Sequence, residues 1–124
     1  MALFNDEPDA DAVENLLHKA SAGTHRLLLC VINWGEIYYS VMRGVSAEMA
    51  EQKAREIAAV PIELVPVDSD LQLVRQAASY KATYKISYAD AFAGALAKIH
   101  RAELVTGDQE FRALEKEIKI GWLR

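Results

Sequence analysis

From Arg26 to Ile32 the chain reads RLLLCVI, six apolar residues in succession after one arginine. A strand with one wet face alternates apolar and polar residues. An unbroken run this short instead fits a strand covered on both faces, as in a parallel sheet packed between helices. Three later runs, Ile62–Val67, Ala102–Thr106 and Ile118–Leu123, repeat the theme.

The segments between these runs read as helices. Asp9 or Asp11 can cap a helix to about Ala20 with Val13, Leu16 and Leu17 on one face. Asn33 and Glu36 fit a capping box opening a helix to Arg43, before Gly44. Ser46 caps the next, through Ala59. Asp68 or Ser69 caps another, with Leu71, Val74 and Ala78 as its stripe, and a polar link runs from Lys81 to Ile86. Ser87 opens YADAFAGALAKIHR, where Phe92, Leu96 and Ile99 form the stripe and Ala93, Gly94 and Ala97 allow close backbone approach. A short helix follows over Gln109–Glu117. Strands alternating with helices over short links predict one α/β domain across residues 1–124, with a mainly parallel sheet.

The length of 124 residues suits a single core. Cys30 is the only cysteine, which excludes an intrachain disulfide or a cysteine-based zinc site and reads as a small buried hydrophobe. His18, His25 and His100 are scattered and read as solvated or packed. No run approaches membrane-spanning length and the acidic N-terminus is unlike a signal peptide, so no membrane and a cytoplasmic location are expected. A net charge of -4 argues against gripping nucleic acid by bulk electrostatics, though a nuclease's metal site is itself acidic.

Three acids carry the chemistry. Singly, Glu36, Asp90 and Asp108 each read as helix-capping residues, because carboxylates near helix N-termini are stabilised by the dipole. Jointly they say more. Glu36 and Asp108 follow strands, and Asp90 starts the helix leading into the strand before Asp108, so chain direction puts all three at the carboxyl edge of the sheet, where ligands bind. Clustered carboxylates repel and raise a pKa, which a divalent cation offsets. Hard oxygen ligands suit magnesium, or manganese, and the matching chemistry is phosphodiester hydrolysis.

The segments LFNDEP, VINWGE, SYADAFAGALA and LVTGDQEF, in this order, resemble the PIN-domain family, in particular the ribonuclease toxins of bacterial VapBC toxin–antitoxin pairs. The resemblance implies a three-layer α/β/α sandwich and a Mg2+-dependent endoribonuclease inhibited by a small antitoxin protein, with RNA as substrate and a homodimer as assembly. Residue by residue it makes Glu36, Asp90 and Asp108 catalytic and metal-holding, with Asn33 and Thr106 as polar neighbours that help hold the metal, its water or the scissile phosphate. The family's first strand and its terminal Asp find no counterpart, Leu3-Phe4 matching the end of the helix after it. The sheet is therefore expected with its first strand missing and its neighbours' edges unpaired. The alternative is a catalytically impaired binding or assembly module. A phosphatase or receiver-like domain ranks last, because it uses an acid after the first strand as nucleophile or phosphoacceptor.

Overall fold

The computed structural model describes residues 10–23 and 25–123, with side chains from residue 14 onward. The element order is α1 (Ala10–Ser21), β1 (Leu27–Cys30), α2 (Val31–Gly44), α3 (Ala47–Ala58), β2 (Ile62–Val65), α4 (Gln72–Thr83), α5 (Tyr88–His100), β3 (Leu104–Thr106), a 3-10 turn η1 (Gln109–Leu114) and β4 (Ile120–Trp122). The architecture is α/β, as the alternation of patterns predicts. The expectations for Leu3-Phe4 and an Asp9 cap lie outside the described residues; Asp11 falls within α1.

β1 and β2 pair in parallel, Leu27 opposite Ile62 and Cys30 opposite Val65. β3 and β4 also pair in parallel, Leu104 opposite Ile120 and Thr106 opposite Trp122. The described strands thus form two two-stranded parallel sheets, in line with the unpaired edges expected where the family's first strand finds no counterpart. Among the described residues no ladder joins them. Helix α5 packs against both β1 and β3 and takes the centre of the structure. Between the two pairs lies a small apolar cavity of about 70 Å³, lined by Leu28, Cys30, Leu96, Ala97, Leu104 and Val105 among others.

Because α5 is central, it is buried on nearly every side: all residues from Asp90 to Ala97 are buried. Its small residues set how closely neighbours approach. A Cβ on Gly94 would stand 2.5 Å from Leu114 Cδ1 and 3.6 Å from Tyr80 Cδ2. Leu114 is fully buried and has little room to yield. Gly94→Ala gains about 1 kcal/mol of helix propensity, but overpacking costs about 1–3 kcal/mol. We expect a melting temperature lowered by several degrees in thermal denaturation, where propensity alone would raise it.

Three local expectations are corrected. The apolar run does not continue as strand to Ile32. Helix α2 begins at Val31, and Val31 and Ile32 are 37% and 38% exposed in its first turn. An apolar run cannot distinguish a long buried strand from a short one passing straight into a helix. Asn33 is accordingly inside the helix rather than capping it; Cys30 holds the cap position without a side-chain bond. The third correction concerns α4, which starts at Gln72 after Leu71 adopts a left-handed φ of 66°. The backbone amide of Gln72 donates to Asp70 Oδ1 at 3.2 Å, so neither Asp68 nor Ser69 is the cap. That break resets the helical phase. The buried face is Leu73, Ala77 and Tyr80, while Leu71 and Ala78 are exposed.

The Ser46 and Ser87 caps form as read, accepting from the amides of Met49 and Asp90 at 3.0 and 3.1 Å. Cys30 is 1% exposed, and burial pushes its thiol above its ordinary pKa, as expected of a structural cysteine. Among the described residues no helix is long and apolar enough to cross a membrane.

Candidate metal centre

Chain direction is confirmed by two contacts. The Nδ2 of Asn33, in the first turn of α2, donates to the backbone oxygen of Ala89 in the first turn of α5 at 2.9 Å. The start of α5 thus lies at the carboxyl end of β1. Asp90, one residue on, has a carboxylate oxygen within 4.8 Å of those of Asp108 and Glu110, just beyond the carboxyl end of β3. Both strand pairs therefore point at one acidic edge.

Each acid is set by its local backbone. Asp90 is the third residue of α5; because Ser87 Oγ caps its amide, its carboxylate is not needed to start the helix. The backbone amide of Asp108 donates to Thr106 Oγ1 at 3.0 Å, which folds the Thr-Gly-Asp turn back on β3. Asp108 caps η1, its Oδ1 accepting from the Glu110 amide at 2.9 Å. Thr106 is 1% exposed, so this turn is anchored in the core while Asp108 and Glu110 reach solvent.

Asp90 is buried, at 8% exposure. Burial pushes its pKa up to about 6, and the charges of Asp108, Glu36 and Glu110 push the same way. Desolvation and like-charge repulsion both disfavour the ionised form. Divalent-cation chemistry fits such a place. Oxygens sharing a cation at about 2.1 Å stand roughly 3–4 Å apart, so small rotations of the two exposed side chains would complete a three-carboxylate set.

Glu36 stands apart from this trio. It is half-buried on α2, and its charge is felt by Asp90, which places it at the margin of the cluster. Glu110 is the acid that sequence reading passed over. The signal was present, an acid two residues after Asp108 in TGDQEF, but an exposed Glu beginning a helix is ordinary until the tight 3-10 turn brings it back beside its cap. None of His18, His25 and His100 joins the group.

Asn33, 3% exposed, has its amide nitrogen committed to Ala89, so its part is to fasten α2 to α5 beside the acids. Asn33→Ala strands a carbonyl near the core and costs about 1–3 kcal/mol. Chemical denaturation should show a lowered midpoint with little change in slope.

The fold and site define the class: an α/β domain whose parallel strands converge on a carboxylate cluster at one sheet edge. Within that class the chain is specific: a family model described as PIN domain matches residues 1–117, and the chain belongs to the PIN domain family. Solved structures agree at the level of fold. A chain of the VapBC2 complex from Rickettsia felis, bound to a promoter DNA fragment, superposes with a TM-score of 0.71 at 17% identity, covering 99% of this chain and 91% of that one. A DNA-bound VapBC from Salmonella typhimurium gives 0.71 at 17% identity, over 97% and 88%. A toxin–antitoxin complex from Klebsiella pneumoniae gives 0.57 at 17% identity, over 85% and 82%. Comparison with curated proteins gave no match.

Proposed function

We propose that this protein is a metal-dependent endoribonuclease acting as the toxin of a VapBC-type toxin–antitoxin pair. The observation that carries the reading is the convergence of Asp90, Asp108 and Glu110 on one point at the carboxyl edge of the strands. Membership of the PIN domain family and a fold like that of chains in VapBC complexes support it.

Asp90, Asp108 and Glu110 would hold Mg2+, with Mn2+ as an alternative, and Glu36 would act from the α2 side. When bound, the cation supplies a water of lowered pKa and charge stabilisation for the departing oxygens of a phosphodiester. The protein's own groups do the rest. Thr106 fixes the turn bearing Asp108, Asn33 holds the first turns of α2 and α5 together, and the three carboxylates set where a cation and phosphate can sit. A small antitoxin protein and a second copy of the chain are the proposed partners.

Incubation of the purified protein with single-stranded RNA is the test. Cleavage should need Mg2+ or Mn2+, stop with EDTA, and be lost in Asp90→Asn and Asp108→Asn. Cleavage that persists in both variants would point to a contaminating nuclease. A protein that binds a partner but cleaves nothing would be the non-catalytic module instead.

A further inference from the structure

The structure separates the aromatic and basic side chains that are already engaged within the protein from those that are not. Trp34 and Tyr38 stack on each other, with ring centroids 5.2 Å apart and an interplanar angle of 14°. The Tyr38 hydroxyl donates to Glu51 on α3, so this pair is occupied in joining α2 to α3. Lys81 Nζ donates to the Ile86 carbonyl at 2.7 Å. Arg101 follows the far end of α5, eleven residues from Asp90 and about 16 Å along the axis.

Tyr39 and Arg43 differ in that they meet each other and both face solvent. Tyr39 is 49% exposed, and the Arg43 guanidinium lies 5.4 Å from its ring centroid. Among the described residues, Arg43 is the cation with an aromatic ring beneath it, and it makes no ion pair with a carboxylate. Their position matters as much as their chemistry. Glu36, Tyr39 and Arg43 stand at i, i+3 and i+7 on α2, one stripe of the helix. Along the axis Tyr39 is about 4.5 Å and Arg43 about 10 Å beyond Glu36. The Asn33–Ala89 bond at 2.9 Å sets the first turn of α2 beside Asp90, so the stripe begins at the margin of the acidic cluster and leads away from it.

We propose that Tyr39 and Arg43 form a nucleotide platform that seats the single-stranded RNA flanking the cleaved bond, one base stacking on the ring and guanidinium and a phosphate meeting Arg43. This rests on the endoribonuclease reading above. Stacking on an aromatic face suits any base, and an adjacent arginine adds both cation–π and phosphate contact. In a chain of net charge -4, an arginine without an acidic partner beside an anionic cluster is well placed to keep the substrate's backbone close. Both are positioning residues, expected to act on binding rather than on the chemical step.

The test uses a fluorescently labelled, mixed-sequence single-stranded RNA and the Asp90→Asn protein, in which binding is read by anisotropy without cleavage. Tyr39→Ala and Arg43→Ala should each weaken binding by roughly tenfold, within the range for loss of one stacked base. Tyr39→Phe should stay close to the parent. Arg43→Ala should reduce the slope of log Kd against log salt by about 0.7, the value for one phosphate contact on a single strand. In the cleaving protein the same changes should raise KM and leave kcat nearly unchanged. Melting temperatures should match the parent, because both side chains are exposed. If the parent binds RNA and neither alanine variant weakens it, the platform is wrong and the endoribonuclease reading stands. Unchanged RNA binding with an altered oligomeric state by light scattering would assign the pair to a protein contact and also overturn the platform. No RNA binding or cleavage by the parent proteins overturns both readings together.

Discussion

Asp90→Asn should make the metal-free protein more stable at pH 7 while removing the proposed divalent-cation site. The folded protein holds Asp90 near pKa 6, against 3.8 for the ordinary side chain. Between those values the native state binds more protons than the unfolded chain, so stability falls as pH rises through the window from about 4 to 6. Above about pH 6 the full penalty applies, because the buried carboxylate is ionised among other acids. A shift of this size corresponds to roughly 2–3 kcal/mol, or a melting temperature about 5–10 °C higher for the asparagine variant near neutral pH. Melting curves at pH 4 and pH 7, without added metal, read this directly. The gap between wild type and variant should be wide at pH 7 and nearly closed at pH 4. Added Mg2+ should stabilise the wild type at pH 7 and leave the variant where it was, since a ligand specific to the native state raises its stability.

Phe111→Ala should produce the largest loss of stability of the substitutions considered. Phe111 is the largest of the fully buried side chains, at 1% exposure, and belongs to the core cluster built around α5. Truncating a buried phenylalanine costs about 3–5 kcal/mol. Its position on η1 ties that loss to the site, because Asp108 and Glu110 precede it on the same turn and Leu114 follows against Gly94. Denaturant titration should show a much lower midpoint. In whatever fraction remains folded, metal affinity should fall as well. A stable variant with unaltered metal affinity would mean that η1 is positioned by something other than its aromatic anchor.

Chain direction was legible in the residues; phase and pairing were not. RLLLCVI, SYADAFAGALA and LVTGD place two strands and a helix with their ends at one edge, and the Asn33–Ala89 bond and the Asp90–Asp108 approach realise that placement. The α4 stripe was misread because Leu71 looks like its first apolar residue, whereas its left-handed backbone puts it before the helix. The Asn33 cap was misread because Asn at that spacing from Glu36 fits a capping box, and only the approach of α5 shows what its amide binds. Which strands pair depends on long-range contacts that no local pattern encodes; the break in the sheet was legible as unpaired edges, and the structure shows it as two pairs flanking α5. Glu110 was overlooked for a related reason: its part in the cluster depends on the tight geometry of η1, which differs from the α-helix read over Gln109–Glu117.

Asp90, Asp108 and Glu110 are proposed to form one divalent-cation site together, with Glu36 at its margin. Calorimetric titration of Mn2+ into the metal-free protein at pH 7 measures it most directly, in wild type and in Asp90→Asn, Glu110→Gln and Glu36→Gln. One site should be seen in the wild type, lost in Asp90→Asn, weakened about tenfold or more by Glu110→Gln and less by Glu36→Gln, about 1.4 kcal/mol being a factor of ten. Binding unaltered by Asp90→Asn and Glu110→Gln, or no binding at millimolar Mn2+, would contradict the account.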